Sequence, residues 1–413
     1  MSSFPELGSS TPTWFGDSPA WRAVLALAVV FVLLATTGWT AVRHHRPDPG
    51  PRQAALTAWE EGSIDGRELP DPEAGRATVA GFFGSLTPQQ RAELAQRYPL
   101  VVGNLGGAPV ELRYRANRIA LDEARDTAKE RMKDRRLTPD GRRQAGRLMN
   151  RFTSMMGKDR QILAFDPTGQ GRAAEVFGDL TRARQVSVVV PGVDTNLTTF
   201  ERTRQKNRAP VGMARSLYHA ERAEQPTART AVIAWADYTA PAGLGVDAAT
   251  GRLAEDGAVR LRALVDSLPG GTDRVSLFCH SYGSVVCGVA ARDLSPKVTD
   301  IAVAGSPGMR AESYAGLGTR ARVWATRDSD DWIRDVPNLE IGELGHGADP
   351  VSAGFGARVI SADRAVGHAG YFEPGTDSLE NFAEIGVGAL GSITCAHGTT
   401  TSCTSGTTAP EDV

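Results

Sequence analysis

Short β-rich apolar runs, separated by stretches long enough for a helix, are the feature that most limits how this chain can fold. They begin at Gln161 and recur as QILAF, AAEVF, VSVVV, TAVIAWA, RVSLFC, DIAVAG and ARVWAT. Near-continuous apolar strands that alternate with helices are typical of a parallel sheet covered on both faces. We therefore predict an α/β domain over residues 161–393, with a mostly parallel, doubly wound sheet.

The residues before this domain carry helix signals instead. Thr87-Pro88-Gln89-Gln90 places an N-cap threonine before a proline at the first helical position and a glutamine at the third, which is typical of a helix start. Thr138-Pro139 repeats the beginning of that signal. We predict a helical region over 54–160, and a low-complexity tail over 394–413 after the α/β domain.

An uncharged apolar run lies near the N-terminus. Residues 23–42 read AVLALAVVFVLLATTGWTAV, and about 20 such residues cover the roughly 30 Å hydrocarbon core of a bilayer. Trp21 and Trp39 lie near its ends, as interfacial aromatic residues do. The alternative is a cleaved signal peptide, whose apolar core is usually about 7–15 residues long. We predict a single transmembrane helix over 21–42, a disordered tail over 1–20 and a linker over 43–53.

The charges that flank this run favour one orientation in the cell membrane. Arg22 precedes the run, whereas Arg43, Arg46 and Arg52 follow it. Because cytoplasmic flanks carry an excess of Lys and Arg, we expect the large C-terminal part in the cytoplasm.

Charge and metal-ligand patterns argue against several functions. A formal net charge of -2 gives no reason to expect nucleic acid as a partner. The sequence has no His-Glu-x-x-His, no Cys-x-x-Cys and no pair of histidines four residues apart on a helix, so we expect no metal and no cofactor.

The four cysteines are too few for a disulfide framework in a chain of 413 residues. Cys279 and Cys287 fall in a predicted core strand and helix, where we expect small buried hydrophobic residues. Cys395 and Cys403 lie near each other in the tail. They either pair, if the tail lies outside the cytoplasm, or remain free thiols.

The strand RVSLFC leads directly into His280-Ser281-Tyr282-Gly283-Ser284 and then the helical VVCGVAARDL. A serine in a tight turn between a strand and a helix is the setting of a nucleophile elbow. The usual pattern is Gly-x-Ser-x-Gly; here Cys279 replaces the first glycine and Gly283 keeps the second. The alternative is an ordinary serine in a turn, but we predict Ser281 as a nucleophile.

A serine nucleophile on this fold needs a histidine and an acid further along the chain, in the order Ser, acid, His. The downstream histidines are His346, His368 and His397. We choose His368 because it follows the last predicted strand, ARVIS, and precedes the last helix. His346 lies in a glycine-flanked loop, and His397 lies in the tail.

The acid should follow the strand ARVWAT, where three aspartates cluster. We favour Asp331, because the apolar pair after it can anchor the loop; Asp328 and Asp330 are the alternatives, and the two that are not used should be solvated. The oxyanion hole needs two backbone donors. We predict the N–H of Tyr282 and that of Val193 or its neighbour Gly192, in the loop after VSVVV.

The chain resembles an actinobacterial α/β-hydrolase family of unknown function. The resemblance covers about residues 80–391, and its motifs occur in the family's order: FFGSLTPQQRAELAQRYPLVVGNLGGAPVELRYRANRIAL, VSVVVPGVDT, VIAWADYTAP, CHSYGSVV, VAGSPG, DWIRDVP, HGADPVSAGFGARV and GHAGYF. It implies the α/β-hydrolase fold and supports Ser281, Asp331 and His368 as the catalytic triad. It does not imply a substrate.

These predictions together describe a membrane-anchored serine hydrolase of the esterase or lipase type. It would cleave a small-molecule or lipid ester through an acyl-enzyme. The alternative is a catalytically inactive α/β-hydrolase fold that serves as a binding or scaffold protein at the membrane.

Overall fold

The computed structural model describes residues 50–396 and 403–405. The predicted disordered tail, the predicted transmembrane helix and residues 43–49 of the predicted linker lie outside these ranges. Within the described part of the chain, none of the helices has the length and apolarity needed to span a membrane.

Within residues 50–160, six helices precede the main sheet, together with one short antiparallel hairpin. The helices are α1 (Pro51–Glu60), α2 (Arg76–Gly84), α3 (Pro88–Arg97), α4 (Pro99–Val102), α5 (Val110–Lys133) and α6 (Pro139–Met155), and the hairpin strands are β1 (Ser63–Ile64) and β2 (Arg67–Glu68). Helix α1 starts inside the predicted linker, because Pro51 is well suited to the first turn of a helix.

The predicted helix starts at Thr87 and Thr138 are confirmed. Gln90 N donates to Thr87 Oγ1 at 3.2 Å, and Thr87 N donates to the Gln90 side chain at 2.8 Å, which forms a complete capping box. Thr138 Oγ1 accepts a hydrogen bond from Gly141 N at 3.1 Å. Helices α1–α5 bury an apolar cluster of their own, which includes Trp59, Phe83 and Leu94.

An eight-stranded mixed sheet forms the centre of the molecule. Its strands are β3 (Gln161–Asp166), β4 (Arg172–Gly178), β5 (Gln185–Val190), β6 (Thr230–Ala236), β7 (Arg274–His280), β8 (Val298–Ala304), β9 (Arg322–Thr326) and β12 (Arg358–Val359). Their order across the sheet is β12-β9-β8-β7-β5-β6-β4-β3. From β12 to β6 neighbouring strands are parallel, whereas β4 is antiparallel to both of its neighbours. Each predicted β-rich run falls on one of these strands.

Helices cover both faces of the sheet. Successive strand residues point to opposite sides, so a strand that is apolar throughout packs against helices on both faces. After the first strands the helices are α7 (Pro210–Glu224), α8 (Val246–Ala249), α9 (Arg252–Ser267), α10 (Tyr282–Ala290) and α11 (Asp377–Val387). Val188 packs into the core under α9 and α10, and the next residue, Val189, packs into the core under α7 and α11. A second short hairpin, β10 (Glu340–Ile341) and β11 (Leu344–Gly345), lies between β9 and β12.

The cysteine predictions were wrong in part. Cys279 and Cys287 are buried, as expected, but they form a disulfide bond, which was not predicted. Cys395 and Cys403 also form a disulfide bond, which is one of the two predicted alternatives. The end of β7 and the second turn of α10 bring the first pair of Cα atoms to 6.5 Å, within the usual disulfide range of about 4.4–6.8 Å. Cys395 also forms a β-bridge with Ile360, so part of the predicted tail packs on the domain.

The sheet order creates a crevice between β5 and β7. The chain leaves β5 for β6 on one side, whereas it leaves β7 for β8 on the other. In open α/β sheets, ligands bind beyond the carboxyl ends of the strands at such a switch point. The loops that start at Pro191 and Ser281 therefore lie at the expected position of a binding site.

Candidate active site

Ser281 occupies a strained turn between β7 and α10. Its φ and ψ of 55° and -128° are unusual for a residue with a side chain, and its N–H donates to the Ala304 carbonyl at 3.0 Å. A Cβ at Gly283 would lie 2.2 Å from the Val190 carbonyl oxygen, so this position of the motif requires glycine. Cys279 is the last residue but one of β7 and fits there as a buried, disulfide-bonded side chain.

His368 lies in a 3₁₀ turn, Gly367–Ala369, between β12 and α11. Its Nε2 is 2.9 Å from Ser281 Oγ, and its Nδ1 is 2.9 Å and 3.0 Å from the two carboxylate oxygens of Asp331. An Nδ1–H that donates to Asp331 leaves the Nε2 lone pair facing the serine hydroxyl. The structure thus brings the three predicted side chains into one chain of hydrogen bonds.

Asp331 is completely buried at the start of a short 3₁₀ helix. Its carboxylate accepts the Ile333 N–H at 2.9 Å and the Tyr371 hydroxyl at 2.5 Å, besides His368. Burial favours a higher pKa for Asp331, but the hydrogen bonds from His368, Tyr371 and Ile333 outweigh it and hold the pKa below the ordinary value. The carboxyl group is therefore an anion at neutral pH.

The two alternative acids lie elsewhere. Asp330 is exposed to solvent. Asp328 was expected to be solvated if unused, and this is wrong: it is buried, and its Oδ2 accepts the Gly367 N–H at 2.7 Å. The side chain of Asp328 therefore holds the turn that carries His368, whereas the carboxylate that accepts the hydrogen bond from the imidazole is Asp331.

The predicted oxyanion-hole residues surround the serine. A Cβ at Gly192 would lie 2.6 Å from Ser281 Cβ, so the backbone of the loop after β5 passes directly beside the nucleophile candidate. Thr195 Oγ1 donates to the Gly192 carbonyl at 3.0 Å and holds this loop. Tyr282 is the first residue of α10, where the N–H groups have no partner within the helix. Val193 and Tyr282 line the same cavity as Ser281.

Residues 166–341 match a family model described as alpha/beta hydrolase. The matched range contains the strands from β4 to β9 and the serine turn. Over this range the chain is similar to the α/β-hydrolase family. The mixed eight-stranded sheet, preceded by helices, is the α/β-hydrolase fold.

Two uncharacterized proteins of Mycobacterium tuberculosis, MT2140 and Rv2079, are each 28% identical to this chain over 377 residues. The alignments cover 78% of this chain and 57% of each relative, so the chain spans little more than half the length of these relatives.

Solved structures show a more remote likeness. A predicted CIB-like hydrolase from Thermoplasma acidophilum is 15% identical, with a TM-score of 0.32 over 57% of this chain and 99% of that chain. MGS-M1, an alpha/beta hydrolase enzyme from a Medee basin deep-sea metagenome library, is 14% identical, with a TM-score of 0.25 over 42% of this chain and 70% of that chain.

A cavity of about 240 Å³ opens beside Ser281. Most of its wall is apolar: Val193, Leu244, Ala248, Ala249, Pro307, Trp332, Ile333, Val336 and Pro337. His346, the histidine not chosen from the sequence, also lines it, with Nε2 2.8 Å from the Ala248 carbonyl oxygen. His397 lies outside the described residues. In residues 50–396 and 403–405, no group of three or more His, Cys, Asp or Glu side chains is placed to hold a metal ion.

Two residues beside the site were missed in the sequence. The buried His280 has its Nε2 2.5 Å from the His368 carbonyl oxygen, so its N–H holds the backbone of that turn. Burial lowers the pKa of His280 to about 4, which keeps this imidazole neutral. Tyr371 holds Asp331, as described above. Tyr371 could have been found from the sequence, because it lies three residues after His368 in the same turn region. His280 could not, because the expected order of the triad considers only histidines that follow Ser281 in the chain.

Proposed function

We propose that this α/β hydrolase is a serine hydrolase that cleaves an ester-type bond with Ser281 as its nucleophile. The observation that carries the proposal is the 2.9 Å contact between Ser281 Oγ and His368 Nε2, because it pairs a hydroxyl with a base. The buried Asp331 carboxylate holds the imidazole in the tautomer that this contact requires.

In the first half of the reaction, Ser281 Oγ would attack the ester carbonyl carbon while its proton passes to His368 Nε2. The carbonyl electron pair moves onto oxygen, which the N–H groups of Tyr282 and Val193 or Gly192 would bind. When the tetrahedral intermediate collapses, the bond to the alcohol breaks and His368 gives its proton to the leaving oxygen. The acyl group then remains on Ser281.

In the second half, water would attack the acyl-enzyme and transfer one proton to His368. Collapse of the second intermediate releases the acid and returns that proton to Ser281. The Asp331 anion stabilises the imidazolium that forms in both halves. The overall change is addition of one water across one ester bond.

We further propose that the substrate is a small-molecule or lipid ester. The predominantly apolar wall of the cavity beside Ser281 supports this, because it would favour an acyl chain over a charged group.

The membrane anchor is a separate proposal. It rests on the sequence of residues 21–42, which would hold the hydrolase domain at the cell membrane. Two disulfide bonds favour the oxidising side of that membrane, since such bonds are rare in the cytoplasm. We give them more weight than the few flanking arginines and propose that the domain lies outside the cytoplasm. Protease protection in sealed membrane vesicles would test this; a protected domain in right-side-out vesicles would contradict it.

A fluorophosphonate probe tests the nucleophile without knowledge of the substrate. We expect covalent labelling of the full-length wild type and none of Ser281→Ala. We also expect the hydrolysis of p-nitrophenyl esters to fall by about four orders of magnitude in Ser281→Ala and in His368→Asn.

His219→Asn is the matched control, because His219 is an exposed histidine on α7. It should label and turn over like the wild type. If the folded wild type is not labelled and hydrolyses no ester, the proposal fails and a binding or scaffold role at the membrane is favoured.

A further inference from the structure

Exposed large apolar side chains concentrate around the mouth of the cavity beside Ser281. In the described part of the chain, nine such side chains are exposed, and seven belong to segments that line or adjoin this cavity. These seven, which we call the apolar rim, are Leu244, Val246, Trp332, Leu339, Ile341, Leu344 and Val366. The other two, Met132 and Val259, lie on helices α5 and α9.

The rim comes from three segments that meet at the cavity. Leu244 and Trp332 form part of the cavity wall, and the ring of Trp332 lies 4.7 Å from that of His368. Val246 starts α8, whose last two residues also line the cavity. Val366 immediately precedes the turn that carries His368. The apolar surface is therefore continuous with the site.

The other three rim residues are Leu339, which immediately precedes the hairpin β10–β11, and Ile341 and Leu344 within it. Specific contacts hold this hairpin. Ile341 pairs with Leu344 across the hairpin, and Leu344 forms a further β-bridge with Thr250. Arg310 Nη1 donates to the carbonyl oxygens of Glu343 at 3.2 Å and Gly345 at 3.1 Å. The outward position of Ile341, which is 72% exposed, is thus part of a bonded hairpin.

An exposed apolar patch beside a cavity marks a surface that is covered in function. The volume of about 240 Å³ is below the roughly 300–1,000 Å³ of pockets that enclose a drug-sized ligand. The cavity can therefore hold only part of a lipid molecule. If the rim touches a lipid phase, the rest of the molecule stays in that phase and the reacting acyl chain never crosses water.

The charged side chains around the apolar rim limit which lipid surface it can bind. Exposed acidic side chains outnumber basic ones in residues 244–247, 330–345 and 363–366, which carry the rim. The acidic ones are Asp247, Asp330, Asp335, Glu340, Glu343 and Asp363, and the basic ones are Arg334 and Arg364. An anionic lipid surface would repel this face, whereas an uncharged or zwitterionic one would not. A partially exposed Trp, such as Trp332, is also the side chain that favours the boundary between lipid and water.

We propose that the apolar rim docks the hydrolase onto an uncharged lipid phase and that its substrate is a neutral acyl ester drawn from that phase. This inference rests on the proposed ester hydrolysis at Ser281 and names its substrate class. A protein that bound this face would instead cover the mouth of the cavity and block it.

The test uses the full-length chain, kept soluble in amphipol, and an uncharged short-chain glycerol triester assayed below and above its solubility limit. Above the solubility limit, we expect the Ser281-dependent rate to increase more steeply with ester concentration than it does below that limit. The double variant Ile341→Ser/Leu344→Ser should lose about tenfold or more of the rate above the limit, because two exposed aliphatic side chains no longer enter the lipid. Its rate on dissolved ester should stay that of the wild type, since neither residue lines the cavity.

Met132→Ser/Val259→Ser removes the two exposed apolar side chains outside the rim and should behave as the wild type in both regimes. A rate that rises only in proportion to dissolved ester, or an Ile341/Leu344 variant equal to the wild type above the limit, would overturn the inference. So would a faster rate after anionic lipid is added to the ester droplets.

A short-chain fluorophosphonate separates this failure from failure of the proposed function. If Ser281 is labelled, its role as the nucleophile is supported. The labelling rate of a long-chain fluorophosphonate, measured in water and in neutral lipid droplets, can then replace turnover as the test of docking. Equal labelling rates in the two would then reject docking alone. No labelling of Ser281 by either probe would reject the ester hydrolysis on which the inference depends.

Discussion

Gly192 offers the sharpest test of the geometry around Ser281. The substitution Gly192→Ala adds one methyl group at the point where the loop after β5 passes the serine. That Cβ would lie 2.6 Å from Ser281 Cβ, 2.9 Å from Ser281 Oγ and 3.1 Å from the His280 carbonyl oxygen. Ser281 Cβ and the His280 carbonyl oxygen are fixed by the backbone of the strained turn, so they cannot move aside by a side-chain rotation.

The size of the effect follows from these distances. Non-bonded carbon atoms prefer separations of about 3.5–4.0 Å, so the loop and the serine must move apart by about 1 Å. A misplacement of about 1 Å typically costs about 100-fold in rate. Overpacking of this kind costs about 1–3 kcal/mol of stability, which leaves an ordinary domain folded.

The assay is kcat/KM for a p-nitrophenyl ester together with the rate of fluorophosphonate labelling. We expect both to fall by about 100-fold in Gly192→Ala. Gly84→Ala is the matched control, because a Cβ at this exposed helix end would have no atom within 4 Å. If folded Gly192→Ala keeps its activity within threefold of the wild type, the close approach of this loop to the nucleophile has no functional role.

Three further outcomes follow from the described contacts. Tyr371→Phe removes the hydroxyl that donates to Asp331, a bond to a charged group worth about 1.5–3 kcal/mol, so kcat/KM should fall about tenfold or more; an unchanged value would show that the carboxylate needs no second donor. Burial raises the pKa of Glu221 to about 7, so the free energy of unfolding should fall as the pH rises from about 4.5 towards 7. In urea unfolding, Glu221→Gln should make this fall smaller by about 1–2 kcal/mol. Equal profiles of unfolding free energy against pH for the wild type and the variant would contradict the assignment. Replacing Cys279 and Cys287 by serine should lower the free energy of unfolding by about 2.5 kcal/mol, as the short closed loop implies, and a variant as stable as the wild type would argue against the bond.

The strand pattern could be predicted because it depends on burial alone. A strand covered on both faces must be apolar at nearly every position, and this property is visible in VSVVV or TAVIAWA without knowledge of its neighbours. The capping box at Thr87 was predictable for the same reason, since its two hydrogen bonds join residues three positions apart. The direction of β4, antiparallel within a largely parallel sheet, leaves no such local mark.

The contacts within the site could be predicted only in outline. Chain order and the strand-turn-helix setting selected Ser281 and His368, and the apolar pair after Asp331 favoured it over Asp328 and Asp330. The structure places the three side chains within hydrogen-bonding distance; their catalytic roles stay predictions. The prediction that Asp328 is solvated was wrong, because its hydrogen-bond partner Gly367 lies 39 residues further along the chain and only folding brings the two together. The disulfide between Cys279 and Cys287 was missed, because two cysteines in a predicted strand and helix look the same bonded or free.

The sequence by itself determined the alternation of strands and helices, the strained serine turn and the apolar run near the N-terminus, all of which follow from properties of neighbouring residues. Only the tertiary structure decided that Asp328 holds the turn before His368, that His280 and Tyr371 support the His368–Asp331 pair, and that seven exposed apolar side chains surround one cavity. The reason is physical. Hydrogen bonds and apolar surfaces depend on distances between atoms that folding brings together, and residues as far apart in the chain as Val193 and His368 lie around Ser281.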